Sequence, residues 1–337
     1  MRFCLLIWMS VATFAQQTAT PPPLVPVDQL KVPKTEEDLV TADQPQAGSL
    51  NGNALFGIKD KDGRIKVALQ AILDRPKDPE AILNAGQIQD GYRRFFESIG
   101  TYSEGIEKFP KDFRFLRMRG HRYLSTRKFA QGIEDLQKAV AMAPNSFDAA
   151  YYLGLGYYFS GDHAKAAQEF ERCEAQVKSP LKEKSDLLGS RSCETLEDDP
   201  NWLVPIQFWH YLALRRAGEM AAAKKYLDEK VSDKHTITST KAFYEALLFF
   251  KGRKEINDMM VGANEGTRDF LTRSTAAATY LFTEGDRGKA CSIWSRNAMD
   301  QNWDHLGVLA SESEYWRNSR AACALYAAPK PTTPPQL

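Results

Sequence analysis

The sequence predicts an all-α protein, a solenoid of helix-turn-helix units that ends in a C-terminal capping helix. Three observations carry that expectation. Pro76, Pro110 and Pro144 stand 34 residues apart, the spacing of a repeated helix pair. Their surroundings align, as Pro76-Lys77-Asp78, Pro110-Lys111-Asp112 and Pro144-Asn145-Ser146. With units numbered from Pro79, Phe113 and Phe147, small and large residues also fall in register. The eighth place holds Gly86, Gly120 and Gly154, the twentieth Ser98, Gly132 and Ala166, and the twenty-seventh Gly105, Ala139 and Cys173. The twenty-fourth is large in every unit: Tyr102, Leu136 and Phe170. Helices that cross closely need such small columns facing large ones.

Composition bounds the answer. A chain of 337 residues, 43% apolar, has room for a sizeable core. Its 44 Lys and Arg against 43 Asp and Glu give no reason to expect bulk nucleic-acid or membrane-surface binding. Residues 1–15 read as a secretory signal peptide: Arg2, an apolar run from Phe3 to Phe14, and small residues at Thr13 and Ala15 ahead of Gln16. The run is too short to cross a bilayer, and no other stretch is long and apolar enough to do so. The mature chain is therefore expected to be exported, periplasmic or secreted, and without a transmembrane segment.

Residues 16–54, with Pro21, Pro22, Pro23, Pro26, Pro33 and Pro45, read as a Pro-rich disordered linker, and residues 327–337 as a Pro-rich tail. Between them lie N-terminal repeats over 55–177, an inserted loop over 178–201, and divergent repeats with the cap over 202–326. The insert contains Ser179-Pro180, Leu188-Gly189-Ser190 and the acidic run Glu197-Asp198-Asp199. It is too long for an ordinary connection and has room for one helical turn. In the divergent part, glycines 218, 252 and 285 separate apolar helical patterns over 206–217 and 219–231, 241–251 and 254–263, and 272–284 and 287–299. A last helix over 305–320, with Trp316, covers the final unit, and 65–73 is the second helix of an incomplete first unit.

With Cys4 inside the signal, Cys173, Cys193, Cys291 and Cys323 remain, an even number that suggests disulfides in an oxidising compartment. Of the three possible connectivities, Cys173 with Cys193 and Cys291 with Cys323 are favoured because each pair brackets one short excursion from a helix. Buried free thiols are the alternative.

On these residues the chain resembles the tetratricopeptide repeat family. The best matches are the unit from Phe113, with Gly120, Tyr123, Leu136, Ala139 and Pro144, and the unit from Phe147, with Leu153, Gly154, Tyr157, Ala166 and Phe170. Arg119 departs from the family's leucine and Gln89 from its aromatic, so the unit starting at Pro79 is degenerate. The resemblance implies a right-handed superhelix whose concave groove is lined by the second, fifth, ninth and twelfth places of each unit. Those are Arg114, Arg117, His121 and Leu124, then Asp148, Tyr151, Leu155 and Tyr158. It implies a non-enzymatic adaptor that binds a protein or peptide.

The lining residues suggest which kind. Arg114, Arg117 and His121 share one helical face, and arginine forks recognise carboxylates. An acidic peptide is the preferred ligand, with Tyr151 and Tyr158 as apolar contacts; the alternative is that these arginines pair with acids of neighbouring helices. Tyr152 and His121 replace the asparagines with which the family's chaperone-tail variant clamps a terminal carboxylate, so that clamp is not expected. No catalytic motif, metal-ligand spacing or cofactor-binding loop is present. The histidines 121, 163, 210, 235 and 305 are scattered, so no metal, cofactor or catalytic residue is assigned. Two further readings stay open: a self-associating scaffold using Trp294, Trp303 and Trp316, and an enzyme with its site in the insert or the C-terminal half.

Overall fold

The computed structural model describes residues 44–177, 188, 190–262, 267–318 and 323. The expected signal peptide (1–15), most of the linker, residues 178–187 of the insert and the tail (327–337) lie outside the described residues. Every α-helix described pairs with a sequence neighbour, as an all-α solenoid requires.

The regular units show how the repeat is written. Helix α1 (Arg64–Asp74) precedes three pairs: α2 (Pro79–Gly91) with α3 (Phe95–Lys108), α4 (Phe113–Ser125) with α5 (Phe129–Met142), and α6 (Phe147–Ser160) with α7 (His163–Glu174). Helices α1, α3 and α5 each stop two residues before one of the repeat prolines, which cannot continue a helix. The next helix is then started by a side-chain cap: Asp78 accepts from the Glu80 N–H, Asp112 from Arg114, and Ser146 from Ala149. The eighth-place glycines meet the large twenty-fourth-place residues. A methyl group on Gly86 would lie 2.3 Å from the Tyr102 ring, on Gly154 2.3 Å from Phe170 and on Gly120 2.7 Å from Leu136. The two departures from the family pattern are accommodated in pairs. Arg119 forks onto Asp135 of α5 at 2.7 and 2.9 Å, and buried Gln89 accepts from the Thr101 hydroxyl of α3.

The C-terminal half is less regular. Helix α8 (Pro200–Arg216) pairs with α9 (Met220–Lys230); α10 (Lys241–Phe250) is followed by α11 (Ile256–Met259), only four residues long; α12 (Arg268–Thr283) pairs with α13 (Arg287–Asn297). The second helix expected over 254–263 is thus a single turn. The insert carries a 3-10 helix over Cys193–Asp198, and α8 begins inside the range expected for that loop. Cys173 is bonded to Cys193 and Cys291 to Cys323.

Two findings correct the sequence reading. The stretch up to residue 54 is not wholly linker: β1 (Pro45–Gly48) pairs antiparallel with β2 (Ala54–Phe56). Its Gln46 side chain accepts from the Phe96 N–H at the start of α3, and Ala47 packs with Phe95 and Trp303. The Pro-rich composition masked this because only two residues of β1, Gln46 and Ala47, are buried. Likewise, Trp294 and Trp303 form no outward dimer face. Trp294 is fully buried beside Ala290 and Cys291, and the Trp303 ring meets Phe95 edge-on at 5.2 Å while its Nε1 donates to the Phe56 carbonyl.

The last helix, α14 (Leu306–Asn318), covers α12 and α13 so closely that a methyl on Gly307 would lie 2.6 Å from the Leu271 carbonyl oxygen. It also returns to the N-terminal units. Asp304 pairs with Arg93 at 3.1 Å, Glu312 with Arg127 at 2.6 Å, and Arg317 donates to the Phe159 carbonyl at 2.7 Å. Arg93, Arg127 and Gly161 stand in the turns of three successive units, all with positive φ (53, 64 and 92°). A left-handed turn is costly for arginine. Here both arginines spend their side chains on residues 304 and 312, so residues 303–317 form a strap along the turn edge of the solenoid.

Candidate functional site

An open cleft of about 740 Å³ lies over α2, α4 and the first turns of α6, with Leu188, Ser190 and Arg191 of the insert as its far wall. Of the sequence-predicted residues it brings together Arg114, Arg117, His121 and Asp148. The other four are in the core. Leu124 and Leu155 are buried, Tyr151 stacks on Phe147 at 5.3 Å, and Tyr158 meets Trp209 edge-on at 5.2 Å. Two packing events exclude them. All four share one apolar core with Ile206, Phe208 and Trp209 of α8 and with Leu309 and Ala310 of the strap helix.

The aromatic surface of the cleft is instead Tyr152, whose ring stacks on His121 with centroids 3.6 Å apart. Helix α2 contributes Glu80, Leu83, Asn84 and Gln87. These were missed because the first unit was set aside as degenerate, yet they occupy its second, fifth, sixth and ninth places. The same places in the second unit hold Arg114, Arg117, Met118 and His121. The register signal is present in the first two units and fails at the twelfth place of the second and at the fifth, ninth and twelfth places of the third, which lie in the core.

The cleft's charges are nearly all matched. Arg114 reaches Asp112 and Glu80, both at 2.7 Å; Arg122 lies 3.7 Å from Asp90; Arg191 pairs with Asp148. Burial raises the Asp90 carboxyl pKa against the opposing pull of Arg122. His121 is driven well below the ordinary imidazole value by burial and then by the Arg122 and Arg117 charges, so it is neutral at physiological pH. Arg117 is different. Its side chain makes no hydrogen bond or ion pair among the described residues, and its Nε is buried without an acceptor. A guanidinium without a hydrogen-bonded or ion-paired acceptor, beside a neutral histidine and an aromatic ring, suits one carboxylate on a partly apolar segment.

Elsewhere, His210 is buried on Glu174 at 2.8 Å and packed against Tyr226. Among the described residues no group of three or more His, Cys, Asp or Glu side chains could hold a metal ion, and no helix is long and apolar enough to cross a membrane.

No family model matches the chain. It is 26% identical over 155 residues to the human Tetratricopeptide repeat protein 13; the match covers 46% of this chain and 17% of that protein. Among solved structures, YrrB, described as a TPR protein with an unusual peptide-binding site, is 14% identical with a TM-score of 0.40, covering 74% of this chain and 98% of that one. A tetratricopeptide repeat protein from Parabacteroides merdae ATCC 43184 is also 14% identical, with a TM-score of 0.43, covering 74% and 90%. The 34-residue period, the matched small and large columns and the helix pairs they build make this an all-α, tetratricopeptide-like solenoid, and over part of its length the chain is similar to the human protein.

Proposed function

We propose that this chain is an exported, non-enzymatic protein-interaction scaffold of the cell envelope that binds an acidic segment of a partner protein in the cleft over α2, α4 and α6. The observation that carries the reading is Arg117. Its neighbours Arg114, Arg122 and Arg191 each have a carboxylate within 4 Å, whereas Arg117 has none. Binding a carboxylate there satisfies a half-buried cation and needs no existing pair to break, which keeps the cost of association low. The Tyr152 and His121 rings offer an apolar ledge beside it. Export is supported by the apolar run over 3–14 and by two disulfides whose cysteines are fully buried.

The test is a titration with a labelled peptide of alternating glutamate and phenylalanine. Arg117→Ala should weaken it by roughly tenfold or more, as expected for losing a charge-assisted contact of about 1.5–3 kcal/mol, while the thermal midpoint stays within a few degrees. Equal affinity of the two proteins would reject the cleft as the site.

A further inference from the structure

The wall of the cleft formed by the insert is held in place by a covalent bond. Cys193, two residues beyond Arg191, is joined to Cys173 near the end of α7, with Cα atoms 5.2 Å apart. Between them the backbone of the insert is laced to the start of α6. The Phe147 N–H donates to the Arg191 carbonyl at 2.9 Å, the Cys193 N–H donates to the Asn145 carbonyl at 2.8 Å, and Ser146 bridges Ser192. This lacing aims Arg191 at two targets. Its guanidinium neutralises Asp148, and it lies 3.5 Å over the ring of Trp202, at the start of α8. Without it, Asp148 would be an uncompensated carboxylate facing Tyr152 inside the cleft, repelling the acidic ligand that Arg117 invites.

We propose that formation of the Cys173–Cys193 disulfide matures the cleft, so that competence to bind an acidic partner follows oxidation of this chain. The inference rests on the cleft being the binding site. In the maturing step the two thiols exchange with the disulfide of an oxidant protein: two protons and two electrons leave the cysteines, the Cys173–Cys193 bond forms, and the oxidant departs as a dithiol. The bond holds residues 190–193 against α6 and Arg191 covers Asp148, which leaves Arg117 as the cleft arginine with no carboxylate within 4 Å. In the reduced chain only non-covalent contacts hold residues 190–193 against α6, and departure of Arg191 uncovers Asp148 to the ligand.

The same glutamate–phenylalanine peptide is titrated against the oxidised protein, Cys173→Ala/Cys193→Ala, and that double variant carrying Asp148→Asn. Loss of the disulfide should weaken binding at least about tenfold, and Asp148→Asn should restore most of that loss because the offending carboxylate is gone. Trypsin cleavage after Arg191 should rise severalfold in the disulfide-free protein, an observation independent of any ligand. Should the double variant be poorly folded by circular dichroism, Arg191→Ala with the disulfide intact takes its place, with the same expected loss and the same rescue by Asp148→Asn. Equal binding with and without the disulfide, or a loss that Asp148→Asn does not relieve, overturns the proposal. Failure of the oxidised protein itself to bind would instead overturn the reading of the cleft.

Discussion

The two halves of the solenoid reach the same helix-pair geometry by different means. In the three N-terminal pairs, close approach is built into the repeat: glycines at the eighth place receive Tyr102, Leu136 and Phe170, and proline followed by a side-chain cap restarts each unit. In the C-terminal half the turn glycines 218, 252 and 285 remain, with positive φ and open space around them, but the glycine column is gone. Alanines take its place in α12, where Ala276, Ala277 and Ala278 are fully buried, and α11 shrinks to one turn. Order there depends on additions outside the repeat: the Cys291–Cys323 bond, the buried cluster of Ser274, Asn297 and Ser311, and the strap. A repeat can thus lose its packing code where fastenings specific to the individual chain replace it.

The difference can be broken most severely at the strap. Arg127 and Glu312 are almost completely buried, and each is the other's counter-charge. Arg127→Ala leaves Glu312 without its guanidinium and should cost about 3–5 kcal/mol in a denaturant titration. Arg127→Gly, which relieves the left-handed backbone at φ 64°, should recover only about 1 kcal/mol of that. A glycine variant as stable as the wild type would show that the strap pair contributes nothing.

Acid should act on the same region next. His305 accepts the Gly307 N–H on Nδ1 at the start of α14, and burial with the Arg268 charge lowers its pKa to about 3. An unfolded histidine titrates near 6.5, so the unfolded chain binds the proton first. The contribution is fully present above about pH 6.5 and is lost as pH falls toward 3, by roughly 1.4 kcal/mol per pH unit. His121, also lowered, adds to this in the same direction from the N-terminal half. Unfolding free energy measured from pH 7 to 4 should fall with this sign, and His305→Gln should flatten part of the slope; an unchanged slope would contradict the assignment.

The smallest effects compare glycine with glycine. Gly154→Ala drives a methyl to 2.3 Å from Phe170 and should cost about 1–3 kcal/mol. Gly218→Ala meets no atom within 4 Å and pays only for its φ of 83°, about 1 kcal/mol. Thermal melts of the pair check this, and equal shifts would deny that the two halves are packed differently.

Much of this was legible in the sequence where local chemistry repeats. The prolines, caps and small-against-large columns announced every helix of the regular units, and the even cysteines bracketing two excursions announced both disulfides. The strap was not legible, because Arg93, Arg127, Asp304 and Glu312 meet across some 200 residues, and nothing in their spacing records the encounter. Leu124, Tyr151, Leu155 and Tyr158, expected at an open groove, lie instead in one core with side chains of α8 and of the strap helix, both distant in sequence. Unit one contributes to the cleft because groove places are set by helix geometry, which survives the loss of the family's preferred residues.

The most direct measurement exchanges charge at Arg117. Titrating wild type and Arg117→Glu with the glutamate–phenylalanine peptide and with its lysine–phenylalanine counterpart compares four affinities. A single recognising guanidinium in the cleft predicts that the wild type prefers the acidic peptide, and that the variant loses it by about a hundredfold while gaining affinity for the basic one. An acidic preference that survives Arg117→Glu would contradict the central claim and place recognition elsewhere on the solenoid.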